Sequence, residues 1–464
     1  MSGYPSPEGL LDGLDPEQRA VATQLVGPLC VLAGAGTGKT RAITHRIAYG
    51  VRTGTYNPTS VLALTFTTRA AGELRQRLRA LGAPGVQART FHAAALRQLR
   101  FFLPKQFRRP VPRIVEHKAR PVAQAAARLG IEVDRAAVRD LAAEIEWSKV
   151  RLWTADDYQA QAAGAGRPPV AGLDPAAVAR LIRGYEQVLS ESDAMDFEDV
   201  LLVMAGLMTE SPAVARAVRD QYRHLVVDEY QDVSPLQQRL LDLWLGERAE
   251  LCVVGDPAQT IYSFAGATSA YLTGFQRRYP QAPVVELVRD YRSTPQVVSL
   301  ANSLLRRGRE AGVELVAQAP SGPAVALRSF ADDAAEAAAV ATRVSELAAE
   351  GVAPSAVAVL YRTNGQSEPL ENALATAGLP YQVRGGERFF SRPEVRQAMA
   401  LLRVAAKVES AQAPVVAARD VLSGLGWSDR PPAERGAIRE RWESLDALAS
   451  LVDELGAVED LPAL

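Results

Sequence analysis

A chain of 464 residues, 48% of them apolar, is long enough for several buried cores and too apolar for general disorder. With 52 basic against 53 acidic residues the net charge is −1, so any nucleic-acid contact must use a local basic stripe rather than overall charge. Cys30 and Cys252, the two cysteines, both lie in apolar runs and read as core residues, not as a disulfide or metal site; a reducing, cytoplasmic location fits. No basic-then-apolar leader opens the chain and no apolar stretch reaches membrane-spanning length, so no membrane partner is expected.

The first predicted strand, Leu29–Leu32, runs into Ala33-Gly34-Ala35-Gly36-Thr37-Gly38-Lys39-Thr40, and a helix with Ile43 and Ile47 one turn apart follows. Strand, glycine turn and helix form the context of a phosphate-binding loop. Its glycines let successive N–H groups face phosphate oxygens, and the helix N-terminus adds positive potential. Lys39 would reach the β- and γ-phosphates, and the Thr40 hydroxyl would ligate Mg²⁺. Ala33 stands where a first glycine is usual. A nucleoside triphosphate with Mg²⁺ is the expected ligand.

Strand-length apolar runs recur at Val61–Phe66, Leu225–Val227, Leu251–Val254, Val284–Leu287, Val325–Leu327, Val357–Tyr361 and Tyr381–Val383. Their alternation with helical patterns predicts an α/β fold with two parallel sheets. Between Phe101 and about Asp193 the strand pattern gives way to Ala, Leu, Arg and Glu, which predicts an inserted helical domain with a loop over Ala160–Pro175. Beyond Arg396 the chain is again helical in character. A basic stretch, Lys105, Arg108, Arg109, Arg113, Lys118 and Arg120 with Phe101, Phe102 and Phe107 interleaved, reads as a strand-binding edge or as a solvated face.

Two carboxylates, Asp228 and Glu229, close the run His224–Val227 at the strand edge where open α/β sheets bind ligands. Asp228 would hold Mg²⁺ and Glu229 would polarise the water that attacks the γ-phosphate. The strand Leu251–Val254 leads to Gln259, a neutral group able to touch both that phosphate and the water. Tyr262 and Phe264 follow on a predicted loop, where they either stack on unpaired bases or belong to the core.

Taken together, Leu14-Asp15-Pro16-Glu17-Gln18-Arg19, the phosphate loop, Ala63 to Ala71, Thr90-Phe91-His92, Asp228-Glu229-Tyr230-Gln231-Asp232, Gly255 to Phe264 and Asp290-Tyr291-Arg292-Ser293-Thr294-Pro295 resemble superfamily 1 helicases of the UvrD/PcrA/Rep group. Within it, Gln259 to Phe264 and Arg384-Gly385-Gly386-Glu387-Arg388-Phe389-Phe390 are similar to a second UvrD-like subgroup of actinobacteria. The resemblance implies a P-loop NTPase with two RecA-like parallel-sheet units, the second incomplete, and helical insertions. The implied boundaries are 1–100 and 194–284 for the first unit, 101–193 for its insertion, 285–396 for the second unit, and 397–464 for the start of another insertion.

It also implies roles. Gln18 would read the adenine edge, Tyr291 would stack on adenine, and Arg292 would reach the γ-phosphate as an arginine finger. Single-stranded DNA and duplex–single-strand junctions are the implied partners, contacted by Thr67, Thr68, Thr90, His92, Tyr262 and Phe264. Phe264-Ala265 replaces the Trp-Arg of many relatives, and Pro257-Ala258 replaces acidic residues, which points to weaker DNA coupling. The late His-x-x-Lys-Gly-type and Thr-Arg-Ala-type motifs are not found between Arg396 and Leu464, so the chain reads as an N-terminal portion or a natural short relative. The implied activity is ATP-dependent 3′-to-5′ translocation and unwinding in repair or replication. The alternatives are the motor of a helicase–nuclease complex and an ATP- and DNA-binding module with little turnover.

Overall fold

The computed structural model describes residues 4–308, 312–383, 389, 392–405, 413–432 and 437–454. Helix α1 (Pro16–Thr23) precedes strand β1 (Leu29–Ala33), and α2 (Lys39–Arg52), β2 (Val61–Thr65), α3 (Thr68–Ala80), β3 (Gln87–Thr90) and α4 (Phe91–Phe107) alternate after it. The short strands β4 (Arg113–Ile114) and β5 (Ala194–Met195) pair across a helical stretch of α5 (Ala119–Arg128), α6 (Arg135–Val150), α7 (Tyr158–Gly164) and α8 (Pro175–Glu191). Next come α9 (Phe197–Glu210), α10 (Pro212–Gln221), β6 (His224–Val227), α11 (Pro235–Leu245) and β7 (Leu251–Gly255). Two single-turn helices, α12 (Ala270–Thr273) and α13 (Phe275–Arg278), lead to β8 (Val284–Leu287).

Six strands form one parallel sheet in the order β3-β2-β6-β7-β1-β8. Strand alternation divides its side chains between two cores. Leu251 and Val253 join Leu99, Met204 and Trp244 from α4, α9 and α11, while Cys252 and Val254 join Ile43, Ile47, Leu74 and Leu78 from α2 and α3. Cys30 lies in the first core and Cys252 in the second, so the sheet itself separates the two free thiols. Trp244 is fully buried, and its indole N–H donates to Gln98 Oε1 at 2.8 Å.

Strand β3 was not expected. Gln87-Ala88-Arg89-Thr90 carries no apolar run, because it is an edge strand whose polar side chains meet water. Strand β8 pairs with β1, so the first sheet reaches Leu287, past the boundary expected at residue 284. Helix α7 occupies the start of the loop expected over Ala160–Pro175, and residues 165–174 carry no helix.

The chain divides into two compact units, one of Met1–Leu129, Ala143–Ala162 and Ala179–Val325, the other of Gly130–Ala142, Ala163–Val178 and Ala326–Leu464. The first unit ends with β9 (Arg289–Asp290), α14 (Pro295–Arg307) and β10 (Val316–Ala317), the two strands pairing in parallel. The second contains α15 (Asp333–Ala349) packed on α16 (Ser367–Thr376), then α17 (Pro393–Ala405), α18 (Pro414–Gly424) and α19 (Ala437–Glu454) around Val395, Leu422, Trp427, Leu445 and Leu448. Asp140 caps α19, its carboxylate accepting the N–H groups of Ala437 and Ile438.

The second expected sheet forms no ladder among the described residues beyond the β9–β10 pair. Val325–Leu327, Val357–Tyr361 and Tyr381–Val383, expected as strands, form no ladder among the described residues. Parallel strands need covered faces and neighbours on each side. Here Leu327 is 86% and Leu360 92% exposed, so the first two runs lack covered faces. Among the described residues no single helix is long and apolar enough to cross a membrane; α9 and α10 together have the composition, but they meet at 110°.

Candidate nucleotide and nucleic-acid site

The phosphate loop folds as its residue types require. Ala33 is the last, fully buried residue of β1, a place where a methyl group fits and a glycine is unnecessary. Gly36 and Gly38 have φ of 75° and 82°, a region open to glycine at no steric cost. A Cβ on Gly36 would lie 2.3 Å from Asp290 Oδ1, and one on Gly38 would lie 2.6 Å from Gln18 Nε2. Gly38 caps α2, whose first-turn N–H groups have no acceptor inside the helix and so face an incoming anion. The loop is braced from within by Thr37 Oγ1 donating to Gly34 O at 2.9 Å.

Three expected nucleotide contacts gather around that loop. Gln18 is buried and donates Nε2 to the Thr37 carbonyl at 3.0 Å, so it steadies the loop directly. Asp15 accepts the Gln18 N–H at 2.7 Å as cap of α1, and its other oxygen accepts the Tyr291 hydroxyl at 2.7 Å. Tyr291 is half-exposed and donates its backbone N–H to Gly36 O at 3.0 Å. Buried Asp290 accepts the N–H groups of Arg292 and Ser293, which leaves the exposed Arg292 beside Gly36.

The acidic pair sits at the carboxyl end of β6. Asp228 donates its N–H to Leu64 O at 2.9 Å, so sheet pairing continues one residue past the strand. Glu229 then turns into a left-handed conformation with φ 52° and ψ 45°, costing roughly 1–2 kcal/mol for a residue bearing a Cβ. The turn brings Glu229 Oε2 to 3.3 Å from Lys39 Nζ. Burial first, and repulsion by Glu229 second, push the Asp228 carboxyl up to about 7, with Lys39 opposing. A hard dication would relieve that crowded negative charge, and the oxygen donors of Asp228 and Thr40 are the type Mg²⁺ takes. These residues fit ATP and Mg²⁺.

Beyond β7, Asp256 Oδ2 accepts Gln259 Nε2 at 2.7 Å, so Gln259 is held by a neighbour at the same sheet edge. The following loop displays aromatics. Phe264 is 77% exposed, which excludes the core alternative. Tyr262 stacks on Phe66, with ring centres 4.6 Å apart and 27° between planes. Phe66 is itself exposed; it lies within a motif noted above without having been singled out.

Thr67 and Thr90 cap α3 and α4, accepting the N–H groups of Ala70 and Ala93. Their hydroxyl oxygens are thus committed, whereas Thr68 is exposed at the first turn of α3. His92 lies flat on Phe197, 3.8 Å between centres and 12° between planes, and Phe197 is 52% exposed. Phe197 was missed because its signal, an exposed aromatic after a capping aspartate, is invisible without the fold. Burial, then repulsion by Lys118, lowers the His92 imidazole to about 4.

Two lysines, Lys149 buried and Lys118 partly buried, hold the segment around Phe197. Lys149 donates to Asp196 at 2.8 Å and to Asp199 at 2.7 Å, while Lys118 pairs with Glu198 and Glu146. Lys118 is therefore no member of an exposed basic stripe, as its place in the sequence had suggested. In the same stretch Arg109 is paired with Asp193, and Lys105 lies 3.6 Å over the Phe101 ring.

Residues 14–280 match the UvrD/REP helicase N-terminal domain and residues 285–415 the UvrD-like helicase C-terminal domain. The chain belongs to the UvrD/Rep helicase family. It is 50% identical over 462 residues to the ATP-dependent DNA helicase UvrD2 of Mycobacterium tuberculosis, covering 96% of this chain and 65% of that protein. It is 37% identical over 420 residues to the ATP-dependent DNA helicase UvrD1 of the same species, covering 86% and 53%. To the ATP-dependent DNA helicase PcrA of Staphylococcus epidermidis it is 30% identical over 456 residues, covering 96% and 61%. The chain thus spans less than two thirds of the length of these UvrD/Rep relatives. Of the stretch Arg384 to Phe390, only Phe389 lies within the described residues.

Proposed function

We propose that this chain carries the ATP-hydrolysing motor of a 3′-to-5′ single-stranded DNA translocase and helicase of the UvrD type, acting in repair or replication. The observation that carries the reading is the meeting of Lys39 with Glu229 at 3.3 Å, beside Asp228, at one edge of a parallel sheet. In the reaction, Lys39 gives up Glu229 and neutralises the β- and γ-phosphates, while the first-turn N–H groups of α2 hold the phosphate oxygens. Freed, Glu229 accepts a proton from the attacking water. Gln259 orients that water and Arg292 offsets charge developing on the γ-phosphate. Thr40 and Asp228 would hold Mg²⁺, which would supply positive charge to offset that of the phosphates. Unpaired bases stack on Tyr262, Phe264, Phe66 and Phe197, with phosphates at the starts of α3 and α4 near Thr67, Thr68, Thr90 and His92.

A second reading, an ATP- and DNA-binding module with little turnover, is favoured by the unpaired runs around Leu327 and Leu360. Measuring ATP hydrolysis by this chain with and without an unpaired oligonucleotide separates the two. Hydrolysis that rises with DNA and disappears in Lys39→Ala supports the motor. ATP and DNA binding without turnover supports the module, and ATP binding unaffected by Lys39→Ala sinks both.

A further inference from the structure

The turn after Glu229 contains a side chain to which nothing above assigns a role. Gln231 is 1% exposed, too buried to reach substrate or solvent. Its Nε2 donates to Glu229 Oε2 at 2.8 Å and, at 3.3 Å, to Asp232 Oδ2. Its Oε1 accepts the Asp256 N–H at 3.1 Å. Only a primary amide supplies donors toward two carboxylates and an acceptor toward a backbone N–H from one planar group. A carboxylate could not donate, and an apolar side chain would leave the buried Asp256 N–H unpaired.

The neighbouring strand is shaped around this amide. A Cβ on Gly255 would lie 2.5 Å from Gln231 Oε1 and 3.1 Å from its backbone nitrogen, so the approach of the turn to β7 requires glycine. Asp256 passes the connection on, accepting Ala258 N–H at 3.0 Å and Gln259 Nε2 at 2.7 Å. One chain of hydrogen bonds therefore runs from Lys39 through Glu229, Gln231 and Asp256 to Gln259. Glu229 sits in a left-handed backbone conformation, and Gln231 is a neutral donor that holds the same carboxylate oxygen, Oε2, that Lys39 meets.

We propose that Gln231 is a positioning residue for ATP hydrolysis, fixing the Glu229 carboxylate against the Asp256–Gln259 turn so that both face the same water. This rests on the reading of Glu229 as the base. Gln231→Glu keeps the shape and the acceptor for Asp256 but replaces the donor with a second carboxylate; Gln231→Met keeps only the length. Misplacing a reacting group by about 1 Å costs on the order of 10²-fold, so both variants should lower kcat roughly 10- to 100-fold. KM for ATP should stay within about twofold because the phosphate contacts are untouched; each variant leaves a buried polar group imperfectly paired, so melting should fall by several degrees while the chain stays folded.

Glu229→Gln and the double variant Glu229→Gln with Gln231→Glu complete the experiment. If Gln231 acts through Glu229, the double variant is no slower than Glu229→Gln alone. Parent-like kcat in Gln231→Glu and Gln231→Met, with Glu229→Gln inactive, overturns the positioning role and leaves the base intact. Parent-like kcat in Glu229→Gln overturns the base reading itself. Where turnover is slow, trapping of a fluorescent ADP by aluminium fluoride gives the same comparison: Gln231→Glu should trap at least tenfold less while binding ADP alone equally well. A parent that neither hydrolyses nor traps overturns both readings.

Discussion

At Lys39 and Glu229 the two charges proposed to serve catalysis occupy each other. Their 3.3 Å pair means that an anion entering the loop must displace a carboxylate from the lysine. A single inorganic phosphate gains little beyond that exchange, whereas a triphosphate adds contacts along the whole loop. His92 offers a test of burial at the same sheet edge. Its imidazole is lowered from 6.5 to about 4, so between those values the unfolded chain binds a proton that the folded chain refuses. Stability is therefore lost as pH falls through that window, by up to roughly 3 kcal/mol. In urea denaturation at pH 7 and pH 4.5, the parent should lose about 2 kcal/mol more than His92→Gln. Equal losses would show that His92 is hydrated in the folded protein. At this scale the sequence marked Lys39, Asp228 and Glu229 as candidates, because phosphate-loop and carboxylate spacing are local, and the structure brings Lys39 and Glu229 within 3.3 Å. The partners of Gln18 and Gln231 were hidden, since Thr37 and Asp256 reach them only through the fold.

Strands and helices carry the proposed nucleic-acid half of the site. The loop after β7 exposes Phe264 and stacks Tyr262 on Phe66 from the end of β2, so two strands build one aromatic ledge. Phe264→Ala should weaken binding of an unpaired oligonucleotide by roughly 1–3 kcal/mol. Folding stability should change by no more than about 0.5 kcal/mol, since the ring is solvated already. Fluorescence titration and thermal melting on one preparation check both, and a large loss of melting temperature with unchanged DNA affinity would remove Phe264 from the ledge. Element identity was readable where apolar runs exist, as in β1, β2, β6, β7 and β8. It failed at β3, whose polar residues lie on an edge, and at Lys118, whose basic neighbours in sequence concealed a buried pairing with Glu198.

For the whole molecule, the two units differ in how much of their apolar sequence they bury. The first closes a six-stranded sheet between two cores; the second leaves Leu327 and Leu360 in solvent. Replacing both with Gln should leave melting within a few degrees, because neither contributes to a core, while fluorescence of a hydrophobic dye bound to the chain should fall. A marked loss of stability would mean that these residues are packed in solution. The alternation of the sequence announced such runs as strands, but hydrogen-bonded neighbours are supplied by other parts of a fold and cannot be read from one run. A different consequence follows from β7, which is followed at once by Asp256 on the proposed phosphate side and, eight residues after that, by Phe264 on the aromatic side. Two ligands bound at the ends of so short a lever share one coupling free energy. By whatever factor an unpaired oligonucleotide tightens or loosens ADP, ADP must tighten or loosen that oligonucleotide equally.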